Sequence, residues 1–206
     1  MAVDWVPCRH DHVADLPMFS QRRPTGPHPL GNLQMTVRRQ SPILVRDATS
    51  DNANDIAQLF YETVRHVNSR DYSREQIDAW APSVRPASSW VERQATRETY
   101  VALIVEKIVG FAELIKTGQI DCFYCHKDHQ RCGVGTALLG AVKAESRRLG
   151  HQKMFAEVSL TALPFFEHQG FRVVREQEVE VRGVSMTNFL MEQEFDKGES
   201  NVAATR

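Results

Sequence analysis

Gln130-Arg131-Cys132-Gly133-Val134-Gly135-Thr136 decides the reading of this chain, because it stands between a β-prone run and a long amphipathic stretch. The run before it spans Ile120 to Cys125. The stretch after it, Gly133 to Leu149, sets Val134, Ala137, Leu138, Ala141, Val142 and Leu149 on one helical face. Lys143, Glu145, Arg147 and Arg148 lie opposite, and Gly150 supplies the stop. A helix start leaves amides without internal acceptors and carries a partial positive charge, so it holds phosphate oxygens without a dedicated lysine. Gly133 and Gly135 let that backbone approach a ligand closely. A Walker loop would need Gly-Lys-Ser/Thr, and a dinucleotide fingerprint would need a third glycine after Thr136-Ala137; neither is present.

Working outward, Ile43 to Arg46 reads as a strand and Ser50-Asp51-Asn52 as the opening of a helix. In that helix Ile56, Leu59, Phe60, Thr63, Val64 and Val67 form one stripe, and it should end near Asn68. Tyr72 to Trp80 reads as a short helix capped by Ser73, and a further helical turn surrounds Trp90. Thr99 to Val105 and Ile108 to Ile115 are β-branched-rich and joined through Glu106-Lys107, the spacing of a tight hairpin, and Gly118 permits the turn into Ile120. After the long helix come a strand from Lys153 to Ser159 and a short helix from Leu163 to His168. A closing hairpin, Phe171 to Glu180 with Val184 to Phe195, turns at Arg182-Gly183. The order implies a mixed α/β domain.

At 206 residues, 42% hydrophobic and 25% charged, the chain suits one globular domain with an appendage. Residues 1–40, with five prolines and no periodicity, are expected to be a flexible extension; 41–196 form the domain, and 197–206 a frayed tail. A formal charge of -1 gives no global attraction to nucleic acid or an anionic membrane. No continuous apolar leader opens the chain, and Tyr100 to Ile115 is interrupted by Glu106-Lys107 and Glu113 and is too short for a bilayer span. Four cysteines are too few for a disulfide scaffold, so a cytoplasmic, reducing setting is expected.

Gln-x-x-Gly-x-Gly followed by Thr-Ala-Leu-Leu resembles the acetyl-CoA pyrophosphate signature of the GNAT acetyltransferase superfamily, and Phe165 to Phe171 is similar to its second landmark, a short helix ending in Gly-Phe. The pattern covers roughly three quarters of the chain. Tyr72 to Ala81 and Gly110 to Leu114 further resemble a bacterial YafP-like branch. The resemblance implies a central, twisted, mostly antiparallel sheet flanked by helices, with acetyl-CoA as co-substrate and a small-molecule or protein amine as acceptor. It implies that Gln130, Arg131, Cys132, Gly133, Val134, Gly135 and Thr136 cradle the pyrophosphate. The backbone of Phe123, Tyr124 and Cys125 would pair with the pantetheine arm, while Ser159 and Phe166 flank the thiol end. Homodimerisation stays open.

Transfer to an amine requires an ammonium to lose a proton, so a carboxylate or an ordered water must accept one. Asp121 is the preferred base, since strict alternation puts it on one face with Phe123 and Cys125; Glu113 is the reserve. Members of the superfamily commonly carry an acidic tyrosine where this chain has Phe166, which cannot donate a proton. A thiolate leaving group tolerates that loss, and Tyr124 is the remaining acid candidate. Tyr72 and Trp80 are the substrate-side candidates. Cys122-Phe123-Tyr124-Cys125-His126 matches a haem-attachment pattern, but in a strand the two cysteines point to opposite faces, so no metal is expected. The competing function is a non-catalytic acetyl-CoA- or CoA-binding sensor, motivated by Phe166.

Overall fold

A computed structural model of the protein describes residues 41–195; the expectations for 1–40 and for the tail lie outside the described residues. Strand β1 (Leu44–Asp47) leads through a 3₁₀ turn into α1 (Ala53–His66), followed by α2 (Arg74–Trp80) and α3 (Ala87–Gln94). Three strands come next, β2 (Arg97–Ile104), β3 (Lys107–Ile115) and β4 (Gln119–Cys125), before α4 (Val134–Arg148). The chain closes with β5 (Lys153–Ser159), α5 (Leu163–His168), β6 (Arg172–Val181) and β7 (Val184–Glu194). The seven strands form one sheet in the order β1-β2-β3-β4-β5-β7-β6, antiparallel everywhere except between β4 and β5. No helix among the described residues is long and apolar enough to cross a membrane.

Local chemistry sets the boundaries. Ser73 accepts the Gln76 amide at 3.2 Å while Gln76 Oε1 accepts the Ser73 amide at 2.9 Å, a reciprocal cap that starts α2 as expected. The β2–β3 turn is Val105-Glu106, one residue earlier than the spacing predicts. Both residues take positive φ, 46° and 64°, the two-residue turn whose twist matches the flanking strands.

Each face of the sheet carries its own core. On one, α1, α2 and α3 bury Phe60, Tyr72 and Trp90 against Phe111, Cys122 and Tyr124. On the other, α4 and α5 bury Leu138, Val142, Phe165 and Phe166 against Ala112, Phe123 and Val158. Helix α4 lies tightly on β3 because Gly110 has no side chain: a Cβ there would sit 2.8 Å from Val134 Cγ1, 2.9 Å from Leu138 Cδ1 and 3.0 Å from the Tyr124 carbonyl oxygen. Val134 and Leu138 are the helix residues next to the glycine turn, so this close approach also fixes where the helix start stands over the sheet.

Gly110→Ala therefore forces the first turns of α4 away from β3. The expected cost is about 1–3 kcal/mol of unfolding free energy, read as a lower urea midpoint with an unchanged slope.

Candidate active site

The parallel pair β4–β5 lasts for only two residues, Gln119 opposite Phe155 and Ile120 opposite Ala156. Beyond them the strands part. His126 donates its amide to the Val109 carbonyl at 2.8 Å across β3–β4, and hydrogen-bonding direction alternates along a strand. Tyr124, opposite Phe111, therefore has its backbone engaged with β3, while the amides of Phe123 and Cys125 point into the gap. Of the three backbone positions expected to meet a pantetheine arm, two face the opening and Tyr124 does not.

At the far end of β4 the glycine turn has the geometry its residues predict. Gly133 takes φ +86°, a left-handed conformation that favours glycine, and it is the N-cap of α4 with no side chain capping the helix. Among the described residues, the amides of Val134, Gly135 and Thr136 have no backbone acceptor; the first bond back is Ala137 to the Gly133 carbonyl, 3.0 Å. Gln130 is buried and does not reach outward: its Nε2 donates to the carbonyls of Cys125 (2.7 Å) and His126 (3.2 Å), tying the turn to the strand end. Thr63 secures the same carbonyl of Cys125 from α1, at 3.0 Å. The resulting cleft is lined by Arg131, Gly133, Gly135 and Thr136, with Phe165, His129 and His168 on its walls. The two histidines come from the 3₁₀ turn after β4 and from the end of α5.

A second cleft opens on the opposite face of the sheet. Tyr72 from the turn before α2, Trp80 from α2, Glu157 and Ser159 from β5, and Thr187 and Asn188 from β7 line it. Tyr72 and Trp80, the substrate-side candidates, thus line one cleft together. The Tyr72 hydroxyl donates to the Thr187 carbonyl (2.7 Å) and accepts the Leu160 amide (2.9 Å), and burial pushes its pKa up to about 12, so it braces the cleft as a neutral phenol. Ser159 is buried and its Oγ accepts the Ala162 amide at 3.2 Å, capping the turn before α5. Phe166 is fully buried, its ring packed edge-on against Phe123, Phe165 and Phe171 at centroid distances of 5.7, 5.6 and 5.0 Å. Tyr124 is also buried, between Phe60 and Phe111; burial holds its pKa well above 10 and keeps it protonated.

The expected placement of Asp121 is corrected. The β3–β4 register slips between Glu113–Cys122 and Leu114–Ile120, leaving Asp121 as a bulge. Ile120, Phe123 and Cys125 consequently share one core and Cys122 and Tyr124 the other, which strict alternation forbids. The Asp121 carboxylate is bound to Arg93 at 2.7 Å and Arg97 at 2.8 Å. Arg93 also chelates the fully buried Glu113 through both carboxylate oxygens and reaches Cys122 Sγ at 3.1 Å. Burial alone would raise the Asp121 pKa, but the hydrogen bond from Arg97 and the charges of Arg93 and Arg97 outweigh it and hold it below the usual carboxylate range. Both base candidates are therefore held by arginines. Glu113, Asp121 and Cys122 bring ligand-type atoms within 4.8 Å of one another, but the Arg93 guanidinium donates to all three. Cys122 and Cys125 do lie on opposite faces.

Comparison with known proteins agrees with this geometry. A family model for the acetyltransferase (GNAT) domain matches residues 68–193. The chain is 35% identical over 150 residues to the uncharacterized N-acetyltransferase YafP of Escherichia coli (strain K12), covering 72% of this chain and 94% of that protein. A GCN5-related N-acetyltransferase from Rhodopseudomonas palustris superposes with a TM-score of 0.72 at 26% identity, over 76% of this chain and 98% of that one. The yncA protein of Salmonella typhimurium, solved with its cofactor acetyl-CoA, shares the fold with a TM-score of 0.60 at 20% identity, over 79% and 99% of the two chains.

Two outcomes follow from the ion-pair cluster. Arg93→Leu leaves the buried Glu113 with only the longer contact to Arg97, at 3.6 Å, and should cost about 3 kcal/mol or more in urea unfolding. Asp121 has a depressed native pKa, so its contribution to stability is complete above its unfolded value of about 3.9 and is lost as pH falls through the lower native value. Asp121→Asn removes that contribution, and its unfolding midpoint should fall less steeply than wild type between about pH 5 and 3.

Proposed function

The chain belongs to the GNAT acetyltransferase family, and on that premise we propose that it transfers the acetyl group of acetyl-CoA to an amine by direct attack in a ternary complex. The observation that carries this reading is the run of unpaired amides at Val134, Gly135 and Thr136, continuous along the sheet with the gap-facing amides of Phe123 and Cys125. The first set suits the pyrophosphate, since phosphate oxygens accept from amides at a helix start where the helix dipole is positive. The second suits the pantetheine arm, which can add to β4 as a further strand would. A pantetheine arm so placed carries the thioester toward the point where β4 and β5 separate.

Bound acetyl-CoA supplies the acyl group: the C–N bond forms as the C–S bond breaks, and the sulfur departs with the electron pair. Around that event the protein binds, orients and handles protons. One proton must leave the ammonium before attack, because its reference pKa of about 10.4 leaves almost no free lone pair at neutral pH. The second leaves the new amide nitrogen and balances the thiolate, whose pKa of about 8.5 makes it a tolerable leaving group without a dedicated acid. That fits a chain whose Phe166 is buried and offers no proton. The clefts lie on opposite faces with the β4–β5 gap between them, the arrangement two substrates need to meet from opposite sides.

Calorimetry with acetyl-CoA tests the cradle. Gly135→Glu puts a bulky carboxylate among the free amides, and affinity should fall at least about 100-fold, about 2.7 kcal/mol. Equal affinities for wild type and variant would remove the pyrophosphate from this turn. Tight binding with no release of CoA thiol across amine panels would instead favour a cofactor sensor.

A further inference from the structure

Glu157 sits in the middle of β5, half-buried, with no hydrogen bond or ion pair among the described residues. It shares with Ser159 the face of β5 opposite Met154, Ala156 and Val158, and so looks into the second cleft just past the point where β4 and β5 part. Of the neighbouring carboxylates, Asp121 and Glu113 are engaged by Arg93, and Glu178 by the hydroxyls of Ser185 and Thr187, both at 2.6 Å.

The rest of the lining points the same way. Asn188, opposite Ser159 on β7, has a buried Oδ1 with no hydrogen-bond partner, and Glu180 adds a second carboxylate at the rim. Among the described residues, no lysine, arginine or histidine lines this cleft. Arg182 donates to the carbonyls of Ala79 (2.5 Å) and Trp80 (3.4 Å). The polar groups aimed inward are thus predominantly acceptors, and the apolar wall is the edge-to-face pair of Tyr72 and Trp80, centroids 5.4 Å apart. At about 310 Å³ the cleft is at the small end of ligand sites.

Resting on the transferase reading above, we propose that this cleft takes a small cationic primary amine with a compact apolar body, and that Glu157 is the carboxylate that pairs with its ammonium and accepts the proton lost before attack. The apolar body lies against Tyr72 and Trp80. The nitrogen is held by Glu157 and the free Oδ1 of Asn188. One ammonium proton passes to Glu157 and on to solvent, the freed lone pair forms the C–N bond, and the thiolate takes up the second proton through solvent. An amine with a carboxylate beside its nitrogen is disfavoured, because that charge would lie among Glu157, Glu180 and the Asn188 oxygen.

The test uses the full chain saturated with acetyl-CoA or CoA, with 2-phenylethylamine, phenylalanine and 3-phenylpropionate as probes. In acetylation assays 2-phenylethylamine should exceed phenylalanine in kcat/KM at least about 10-fold. Glu157→Gln, which keeps shape and hydrogen bonding, should lower kcat/KM about 100-fold or more while acetyl-CoA affinity stays at the wild-type value. A binding arm on the CoA complex reads the cleft without turnover: 2-phenylethylammonium should bind, 3-phenylpropionate should not, and Glu157→Gln should weaken the former about 10-fold. Glu157-dependent binding of the ammonium with no acetylation would keep this assignment and sink the transferase reading. Acetylation undiminished in Glu157→Gln, equal use of phenylalanine, or no binding of the ammonium at millimolar concentration would overturn the assignment and leave the transferase reading in place.

Discussion

The arrangement depends on the failure of one strand pair to continue. β4 and β5 are the only parallel neighbours in the sheet and hold together for two residues before they separate. A parted pair exposes backbone donors and acceptors that a closed ladder would use, and it breaches an otherwise continuous floor between two faces. Both clefts adjoin that breach, one ending in the helix start of α4 and the other walled by α2, β5 and β7.

The separation coincides with the bulge at Asp121, and the bulge is held by charge. Arg93 and Arg97, from α3 and the start of β2, clamp the Asp121 carboxylate while Arg93 chelates the buried Glu113 on the neighbouring strand. A buried ion pair of this kind is weak evidence for net stability, because desolvation of both partners offsets much of their attraction. Its consequence is geometric. With two carboxylates and two guanidiniums mutually satisfied, the extra residue in β4 has one favourable position, and the strand beyond it is turned so that Phe123 and Cys125 face the α4 core while Tyr124 packs beneath α1.

The two cores set the rigidity of the two clefts. Phe60, Trp90, Phe111 and Tyr124 interlock by edge and stacked contacts at 5.0 to 5.5 Å, behind the cleft that Tyr72 and Trp80 line. Phe123, Phe165, Phe166 and Phe171 interlock by edge and tilted contacts at 5.0 to 5.8 Å on the other face. Phe166 is therefore held by ring packing alone.

The amino-acid sequence by itself determined the element order, the cap at Ser73, the Arg182-Gly183 hairpin and the glycine turn that opens α4, because each is written in contiguous residues whose conformational preferences are local. The alternation of Lys153 to Ser159 even set Glu157 on the same side as Ser159, a signal available in the chain but without meaning until β7 and α2 closed a cleft around it. Tertiary structure alone decided the face of Asp121, since a bulge exists only relative to a partner strand, and its arginine partners lie 24 and 28 residues away. It likewise decided that Gln130 ties the turn inward and that Ser159 caps a turn. Side-chain direction follows from local period only while the ladder is regular; where the ladder breaks, long-range charge pairing and packing choose it.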